Sequence, residues 1–223
     1  MPPLTVPYAR AARMHLARVD PVMARIVAAV GPCRIVRRRE RFRALARAIV
    51  FQQLAGAAAT AIFTRVVELY PGRAFPRPNE ILATPDQVLR KAGLSAQKAM
   101  YIKDLAAHVQ NKALNFHRFP RMTDEEVITD LTRVKGIGRW TAEMFLMFNL
   151  GRPDVLPVDD LGVRNAVGRA YAMRKPPTPK ELRVFGERWA PYRTAAAWYL
   201  WESLDIKTPG DAVDRKRAPR QRD

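Results

Sequence analysis

Apolar residues recur along most of this chain at the spacing of an α-helix. In the segment RFRALARAIV they form an i, i+3, i+4, i+7, i+8 stripe of Phe42, Leu45, Ala46, Ile49 and Val50. A second helical stripe follows the segment FQQLAG. No segment alternates apolar and polar residues beside the turn sequences of a β-hairpin. The pattern therefore predicts an all-α fold with very little β-structure.

Start and stop signals divide this pattern into separate helices. Thr84, Thr123 and Thr178 each precede Gln or Glu by three residues, which is the signature of a capping box. Gly93 and Gly136 lie where helices should end. An N-terminal helix is predicted over roughly residues 8–30, packed with the C-terminal part of the chain.

The charge balance indicates the kind of partner. Lys and Arg number 39 against 21 Asp and Glu, which gives a formal net charge of +18. Such an excess favours a polyanion, either nucleic acid or an anionic membrane surface. Ordinary surface charge, or the arginine preference of a GC-rich genome, is the alternative.

Other residue types exclude several classes of protein. The single cysteine, Cys33, excludes a disulfide framework and a four-cysteine zinc or iron–sulfur site within one chain. No apolar run approaches the ~20 residues of a membrane span, and the N-terminus does not resemble a signal peptide. We expect a cytoplasmic, nucleoid-associated protein.

Two glycines stand between apolar helical segments in LTRVKGIGRWTAEMFL. Gly136 and Gly138 can take positive φ, and without Cβ atoms they let a partner approach the backbone closely. Backbone N–H groups at the start of the second helix would then form an anion site, flanked by Lys135 and Arg139. In so basic a protein the expected anion is a DNA phosphate. The predicted phosphate-binding residues are Lys135, Gly136, Ile137, Gly138, Arg139 and Thr141.

A Gly/Pro-containing loop, NLGRPDVLPVDD, delivers two aspartates about twenty residues beyond the hairpin. Together with the blocks AIVFQQLAGAAATAI, AGLSAQKAMYIKDLA, GIGRWTAEMFL and ERWAPYRTAAAWYLW, it makes the chain resemble the helix–hairpin–helix/Gly-Pro-Asp superfamily of DNA glycosylases. The match is closest to the AlkA/Mag branch, the DNA-3-methyladenine glycosylase II type. The resemblance implies a two-lobed helix-hairpin-helix DNA glycosylase fold, in a compact form without the N-terminal β domain.

The resemblance also assigns chemistry to the two aspartates and to position 140. The second aspartate, Asp160, corresponds to the catalytic carboxylate, which stabilises positive charge on the deoxyribose. Asp159 is assigned to capping the following helix. Trp140 occupies the position where endonuclease-III-type relatives carry a Schiff-base lysine, so β-lyase chemistry lacks its nucleophile.

Base flipping requires a wedge and a pocket. The resemblance implies Gln53 as the wedge, supported by Leu54, with Trp201 and Trp140 as aromatic walls of the base pocket. An indole face attracts the cationic base that alkylation at purine N3 or N7 creates. Ala55 departs from relatives that place a minor-groove histidine there. Trp198 and Tyr199 are predicted to be core residues.

These expectations combine into one organisation of the chain. Residues 1–36 are expected to pack with a C-terminal lobe at 151–209, while 37–150 form a central lobe with the hairpin and 210–223 a disordered basic tail. No cofactor is required, although the resemblance allows Na⁺ or K⁺ at the hairpin carbonyls.

The predicted function follows from the same residues. It is monofunctional hydrolytic removal of alkylated purines from double-stranded DNA by a monomer, chiefly 3-methyladenine, with 7-methylguanine and 1,N6-ethenoadenine as further candidates. The alternatives are a non-enzymatic damage-recognition protein, and a glycosylase for uracil or an oxidised purine.

Overall fold

The computed structural model describes residues 6–38 and 40–206, and the basic tail predicted at 210–223 lies outside this part of the chain. The described residues contain α-helices and short helical turns but no β-strand, as the apolar periodicity predicted. The α-helices are α1 (Val6–Val19), α2 (Pro21–Val30), α3 (Arg41–Phe51), α4 (Gly56–Glu68), α5 (Pro78–Ala83), α6 (Asp86–Lys91), α7 (Ala96–Gln110), α8 (Asp124–Thr132), α9 (Arg139–Phe145), α10 (Leu161–Ala170), α11 (Pro179–Phe185) and α12 (Arg193–Asp205). None of these helices is both long and apolar enough to cross a membrane.

Three shorter segments complete the described secondary structure. Two are 3₁₀ turns, at Phe119–Arg121 and Gly186–Trp189, and the third is a π-helical segment at Leu146–Leu150 that continues α9. The π-helical segment ends at Gly151, whose left-handed backbone (φ 70°) terminates the helix before the aspartate loop begins.

The chain forms two compact units. The first joins the residues up to Ile35 with those from Pro153 onward, and the second spans Val36–Arg152. In the first unit α12 packs against α1, α2 and α10 around the fully buried Trp189 and Tyr199. Tyr199 is therefore a core residue, as predicted, and its hydroxyl donates to the backbone oxygen of Gly31 at 2.9 Å.

The prediction of one N-terminal helix over 8–30 is wrong, because the chain breaks at Asp20. Asp20 is the N-cap of α2, and its Oδ1 accepts the N–H groups of Val22 (2.9 Å) and Met23 (3.2 Å). Pro21 follows at the first helical position, so it cannot donate the hydrogen bond that would continue α1. The pair Asp20-Pro21 is a recognisable signal for the start of a helix, and the prediction overlooked it.

The second unit holds α3–α9. Its core contains Leu45 and Ile49 of α3 and Ile102 and Leu105 of α7, all fully buried. An edge-to-face pair of Phe119 and Phe145, with ring centroids 5.9 Å apart, adds the end of α9 to this core.

Two of the three predicted capping boxes are confirmed. Thr123 and Thr178 each accept the N–H of the glutamate three residues on, and that glutamate accepts the threonine N–H at 2.7 Å. The prediction at Thr84 is wrong. Its hydroxyl donates to the Glu80 carbonyl at the end of α5, and the N-cap of α6 is Pro85.

Candidate functional site

The first unit holds Asp160 at the start of α10. Asp160 is the N-cap of this helix, with extended backbone (φ −70°, ψ 117°), and its Oδ1 accepts the N–H of Val163 at 2.8 Å. The prediction that Asp159 caps the helix is therefore wrong. Asp159 lies one residue too early, in an exposed turn. Asp160 thus combines the capping role with whatever chemistry its carboxylate performs.

The indole of Trp201, on α12, contacts the same carboxylate. Trp201 Nε1 donates to Asp160 Oδ1 at 2.9 Å, and both side chains are half-buried. Since two donors converge on one oxygen, the plane and position of the carboxyl group are fixed. Trp201 and Asp160 are therefore brought together as the prediction required. The indole edge, however, is used to hold the carboxylate.

Gly162 makes room for this pair, and sequence reasoning missed it. A Cβ at Gly162 would lie 3.0 Å from Asp160 Oδ1 and 3.2 Å from Trp201 Nε1, closer than ordinary contacts. The signal was a glycine in the first turn of a helix, where it weakens helix formation and so needs another reason.

The loop before Asp160 is anchored to α12. Arg193 donates to both carboxylate oxygens of Asp154, from Nε and Nη2, each at 2.8 Å. Thr194 Oγ1 accepts the N–H of Val155 at 3.0 Å, and Tyr8 Oη donates to the Pro153 oxygen at 2.9 Å. The two-point contact between Arg193 and Asp154 constrains the orientation of the two side chains as well as their distance. The anchored loop explains how a Pro-rich segment can hold Asp160 in place.

In the second unit the two hairpin glycines differ. Gly136 has φ 82°, and a Cβ there would collide with the Tyr101 ring, for example lying 2.7 Å from Cε2. Gly138 has φ −90°, and a Cβ there would have no atom within 4 Å. Only Gly136 adopts the positive φ that was predicted for both glycines. Gly138, which has no Cβ, leaves the space beside its backbone open.

Several predicted phosphate ligands are already engaged within the protein. The N–H of Lys135 donates to Asp104 Oδ2 at 2.8 Å, and the N–H of Ile137 donates to the Val134 oxygen at 3.1 Å. The side chains of Ile137 and Thr141 are buried, so any phosphate contact at these two positions would have to come from the backbone.

Arg139 is held by carboxylates. Its guanidinium forms a two-point ion pair with Glu125, and its Nε lies 3.2 Å from Glu143 Oε1. The hydrogen bond to Glu125 raises the pKa of Arg139 despite its partial burial. Its positive charge is therefore offset in this state.

The remaining predicted donors include the N–H groups of the two glycines. Within the part of the chain that the structure describes, neither Gly136 nor Gly138 donates its N–H to another group. Gly138 is also the N-cap of α9 and, having no side chain, leaves the first turn of that helix without a side-chain cap. The two glycines thus present unused backbone donors at a helix start.

The turn carrying Gln53 and Leu54 lies at the end of α3. Both residues are exposed, and Gln53 adopts a left-handed backbone conformation (φ 56°) that is uncommon for a residue other than glycine. Lys98 Nζ donates to the backbone oxygens of Val50 and Gln52, both at 2.7 Å. Burial lowers the pKa of Lys98. Gln52 Nε2 in turn donates to the Gly136 oxygen at 2.7 Å, so the turn and the hairpin are connected.

A groove of about 570 Å³ lies beside this turn within the second unit. Trp140, 46% exposed, forms part of its wall. The other lining residues are Arg38, Ala44, Leu45, Arg47, Ala48, Phe51, Gln52, Gln53, Thr141, Met144, Phe145, Phe148 and Asn149. Aromatic and apolar side chains with a few polar groups at the edge are typical of a small-molecule or base pocket. The structure thus brings Trp140 and Gln53 to one groove.

No amine occupies the position that a Schiff base would require. Trp140 stands directly after the hairpin, Lys135 lies exposed in the hairpin turn, and Lys98 is committed to two carbonyls. The two hairpin carbonyls with known partners, those of Val134 and Gly136, each accept an N–H group. Among residues 6–38 and 40–206 no cluster of His, Cys, Asp and Glu could hold a metal ion.

Comparison with known proteins adds independent findings. A family model described as "HhH-GPD superfamily base excision DNA repair protein" matches residues 46–191. DNA-3-methyladenine glycosylase 1 of Schizosaccharomyces pombe is 40% identical over 199 residues, covering 87% of each protein. Solved structures are also similar, and two of them show this. The S. pombe 3-methyladenine DNA glycosylase in complex with abasic DNA matches with a TM-score of 0.80 and 38% identity, covering 88% of this chain and 97% of that one. The DNA-3-methyladenine glycosidase of Bacillus halodurans matches with a TM-score of 0.79 and 37% identity, covering 86% and 88%.

Proposed function

The chain belongs to the HhH-GPD superfamily of base excision DNA repair proteins, and from this we propose that it is a DNA glycosylase. It removes alkylated purines from double-stranded DNA by hydrolysis and leaves an abasic site. The relatives named for 3-methyladenine support that base as the main substrate. Its charge of +18 agrees with a polyanionic substrate.

The observation that carries the proposal is the fixed carboxylate of Asp160. When the bond between C1′ and the base nitrogen breaks, its electron pair leaves with the base and positive charge develops on the sugar. A preorganised negative charge stabilises that state without having to reorient. Water then adds to C1′ and gives a proton to the carboxylate. An alkylated cationic purine leaves as a neutral base, so no general acid is needed.

The groove of the second unit is the proposed site for the flipped base. The indole of Trp140 offers an electron-rich face, which attracts a cation more strongly than a neutral base. The Trp201 N–H holds Asp160, and its ring as an aromatic wall for the base stays a prediction. An aromatic face at the base predicts discrimination by charge as well as by shape.

Gln53 is the proposed wedge that fills the space left by the extruded nucleotide. A non-glycine residue in the left-handed region is costly, and such strain persists where surrounding contacts impose it. Here the contacts are those of Lys98 and Gln52, which hold the turn at the end of α3. Leu54 is exposed beside the wedge and supports its insertion.

The hairpin is the proposed anchor for the DNA backbone. We restrict its direct donors to the N–H groups of Gly136 and Gly138, with the exposed Lys135 side chain as a nearby positive charge. Such contacts position the strand without reading its sequence. A Na⁺ or K⁺ ion at the hairpin stays a prediction.

Absence of a nucleophilic amine makes the proposed enzyme monofunctional. Strand cleavage by β-elimination needs a covalent imine with an amine in the position that Trp140 occupies. We further propose that the protein acts as a monomer, in the cytoplasm and in association with the nucleoid.

One observation favours a rival function. Asp160 caps α10, so its presence has a structural explanation without catalysis. A protein that only recognises damaged DNA would need the hairpin and the wedge but no base release.

An assay of base release from alkylated DNA distinguishes a DNA glycosylase from a protein that only recognises damaged DNA. Duplex DNA treated with a methylating agent is incubated with the protein, and the freed bases are identified by chromatography. The proposal predicts free 3-methyladenine, and strands that break only after alkali treatment. DNA binding without any released base would support the rival. Release from uracil or oxidised-purine duplexes, but not from methylated DNA, would show a different lesion specificity.

A further inference from the structure

An arginine-rich segment precedes and enters α3, and the proposed function uses none of its arginines. The sequence RIVRRRERFRALAR, residues 34–47, contains seven arginines and a single acidic residue, Glu40. So dense a cluster of like charges costs free energy unless an anion offsets it. The contacts of each guanidinium show which of these charges are offset within the protein.

Two of these arginines serve the fold. Arg37 Nε donates to the Asn149 oxygen at 2.9 Å, and Arg41 Nη1 donates to the Phe116 oxygen at 2.5 Å. A third, Arg43, is paired with Glu40 at 2.6 Å. These contacts fix the segment against the rest of the second unit.

Arg38 and Arg47 differ from Arg37, Arg41 and Arg43. Neither guanidinium has a hydrogen bond or an ion pair with any residue in the ranges 6–38 and 40–206. Arg47 is half-buried, and its guanidinium carbon lies 3.6 Å from the centroid of the Phe51 ring. Burial and the charges of Arg38 and Arg43 lower the pKa of Arg47. An arginine nevertheless keeps its charge in proteins, so Arg38, Arg43 and Arg47 set three positive charges against the one negative charge of Glu40.

These side chains surround a hollow. Arg38, Glu40, Arg43, Ala44 and Arg47 line a depression of about 340 Å³. Arg38, Ala44 and Arg47 also line the larger groove that contains Gln53 and Trp140. The depression is therefore the immediate neighbour of the proposed base pocket.

We propose that Arg38, Arg43 and Arg47 form a second binding site for a DNA backbone phosphate, distinct from the hairpin. A guanidinium fork matches two phosphate oxygens at once, and stacking on Phe51 holds the Arg47 fork in one plane before the ligand arrives. The phosphate belongs to the strand whose base enters the adjoining groove. This assignment of the strand rests on the proposed function.

Salt dependence of binding tests the site. The double variant Arg38→Gln/Arg47→Gln is compared with wild type on a duplex carrying a stable abasic analogue, from 50 to 200 mM salt. The slope of log K against log salt should become shallower by about 0.9, the value for one lost phosphate contact. Arg90→Gln, at an exposed arginine of α6, is the matched control and should leave the slope unchanged. Circular dichroism and Tm establish that the variants are folded.

A chemical cycle identifies the phosphate. Neutral methylphosphonates are placed singly at positions flanking the abasic analogue. At one position, neutralisation should weaken wild-type binding but not weaken the double variant further. An unchanged slope in the double variant, an equal effect of Arg90→Gln, or additive effects at every position would overturn the site.

Base release by the wild-type protein is measured in parallel. Base release together with an unchanged slope in the double variant would refute only the arginine site. A shallower slope without base release would refute only the proposed catalytic function.

Discussion

Single residues decide how the Asp160 carboxylate is held. Its Oδ1 accepts two hydrogen bonds, one from the backbone of Val163 and one from the Trp201 indole. Gly162 supplies the space in which these groups meet. The same carboxylate therefore stabilises the start of α10 and presents a fixed negative charge to a substrate.

Removing the indole donor should weaken catalysis more than stability. Trp201→Phe keeps an aromatic ring but loses the N–H that holds Asp160. Loss of a hydrogen bond to a charged group, about 1.5 kcal/mol or more, corresponds to at least about a tenfold fall in the rate of base release. Single-turnover kinetics on a 3-methyladenine duplex measure this rate.

Trp198→Phe is the matched control, because Trp198 packs edge-to-face against Tyr199 and is half-buried, not fully buried as predicted. Equal losses of rate in the two variants would argue against a specific role for the Trp201 N–H.

Contacts at the helix ends hold the turn that carries Gln53 and the glycine hairpin in place. Lys98 of α7 binds the last carbonyls of α3, and Gln52 connects that helix end to the hairpin. The hairpin in turn depends on Gly136 lying against the Tyr101 ring. A change at one helix end is therefore expected to alter the neighbouring turn.

The hairpin should tolerate a methyl group at one glycine only. Gly136→Ala combines a positive φ, costing about 1–2 kcal/mol, with a collision against Tyr101. Gly138→Ala has ordinary φ and open space, so its stability should change by less than about 0.5 kcal/mol. Urea unfolding of both variants gives the comparison. If Gly136→Ala is as stable as Gly138→Ala, the described turn is wrong.

The start of α2 should make stability depend on pH. Asp20 is buried, which by itself would raise its pKa, but hydrogen bonds from Tyr171, Met23, Trp189 and Val22 outweigh burial, and the pKa is lowered. A lowered carboxyl pKa stabilises the folded state above the unfolded value, about 3.9. That contribution is lost as pH falls through the lower folded value.

Comparison with Asp20→Asn isolates this effect. The difference in unfolding free energy between wild type and Asp20→Asn should be constant from about pH 5 to 8 and shrink below about pH 4. Asparagine still caps helices, so the variant should fold. Thermal unfolding across this pH range measures the difference, and a constant difference down to pH 3 would contradict the assignment.

Across the whole molecule, the sequence predicted what depends on short-range pattern. Apolar periodicity gave the all-α class, and the boxes at Thr123 and Thr178 gave two helix starts. Long-range contacts could not be predicted in this way. No local pattern shows that the Trp201 indole donates a hydrogen bond to Asp160, 41 positions earlier. Nor does one show that Asp104 accepts a hydrogen bond from the Lys135 N–H.

The wrong predictions have a similar cause. Asp159 and Asp160 are equally suitable caps by residue type, and only the backbone path decides that the second one reaches the Val163 N–H. Thr84 has a suitable sequence for an N-cap, but α5 ends at this residue, and the Thr84 hydroxyl donates to the Glu80 carbonyl of α5. In both cases the three-dimensional path of the backbone decided the outcome, and residue type did not.

At the scale of the whole molecule, the net positive charge and the fold are both explained by one proposed reaction at Asp160. Substitution of Asp160 tests this reaction most directly. Asp160→Asn keeps an oxygen that can accept the Val163 and Trp201 N–H groups, so the cap and the fold should persist while the negative charge is lost. Asp159→Asn removes a neighbouring charge and is the control.

The decisive measurement is single-turnover release of 3-methyladenine from duplex DNA by wild type and both variants, with DNA affinity measured alongside. We predict that Asp160→Asn binds DNA as wild type does but releases base at least about a thousandfold more slowly, equivalent to about 4 kcal/mol of transition-state stabilisation. Asp159→Asn should release base at nearly the wild-type rate. Release by Asp160→Asn at nearly the wild-type rate would contradict the proposed chemistry.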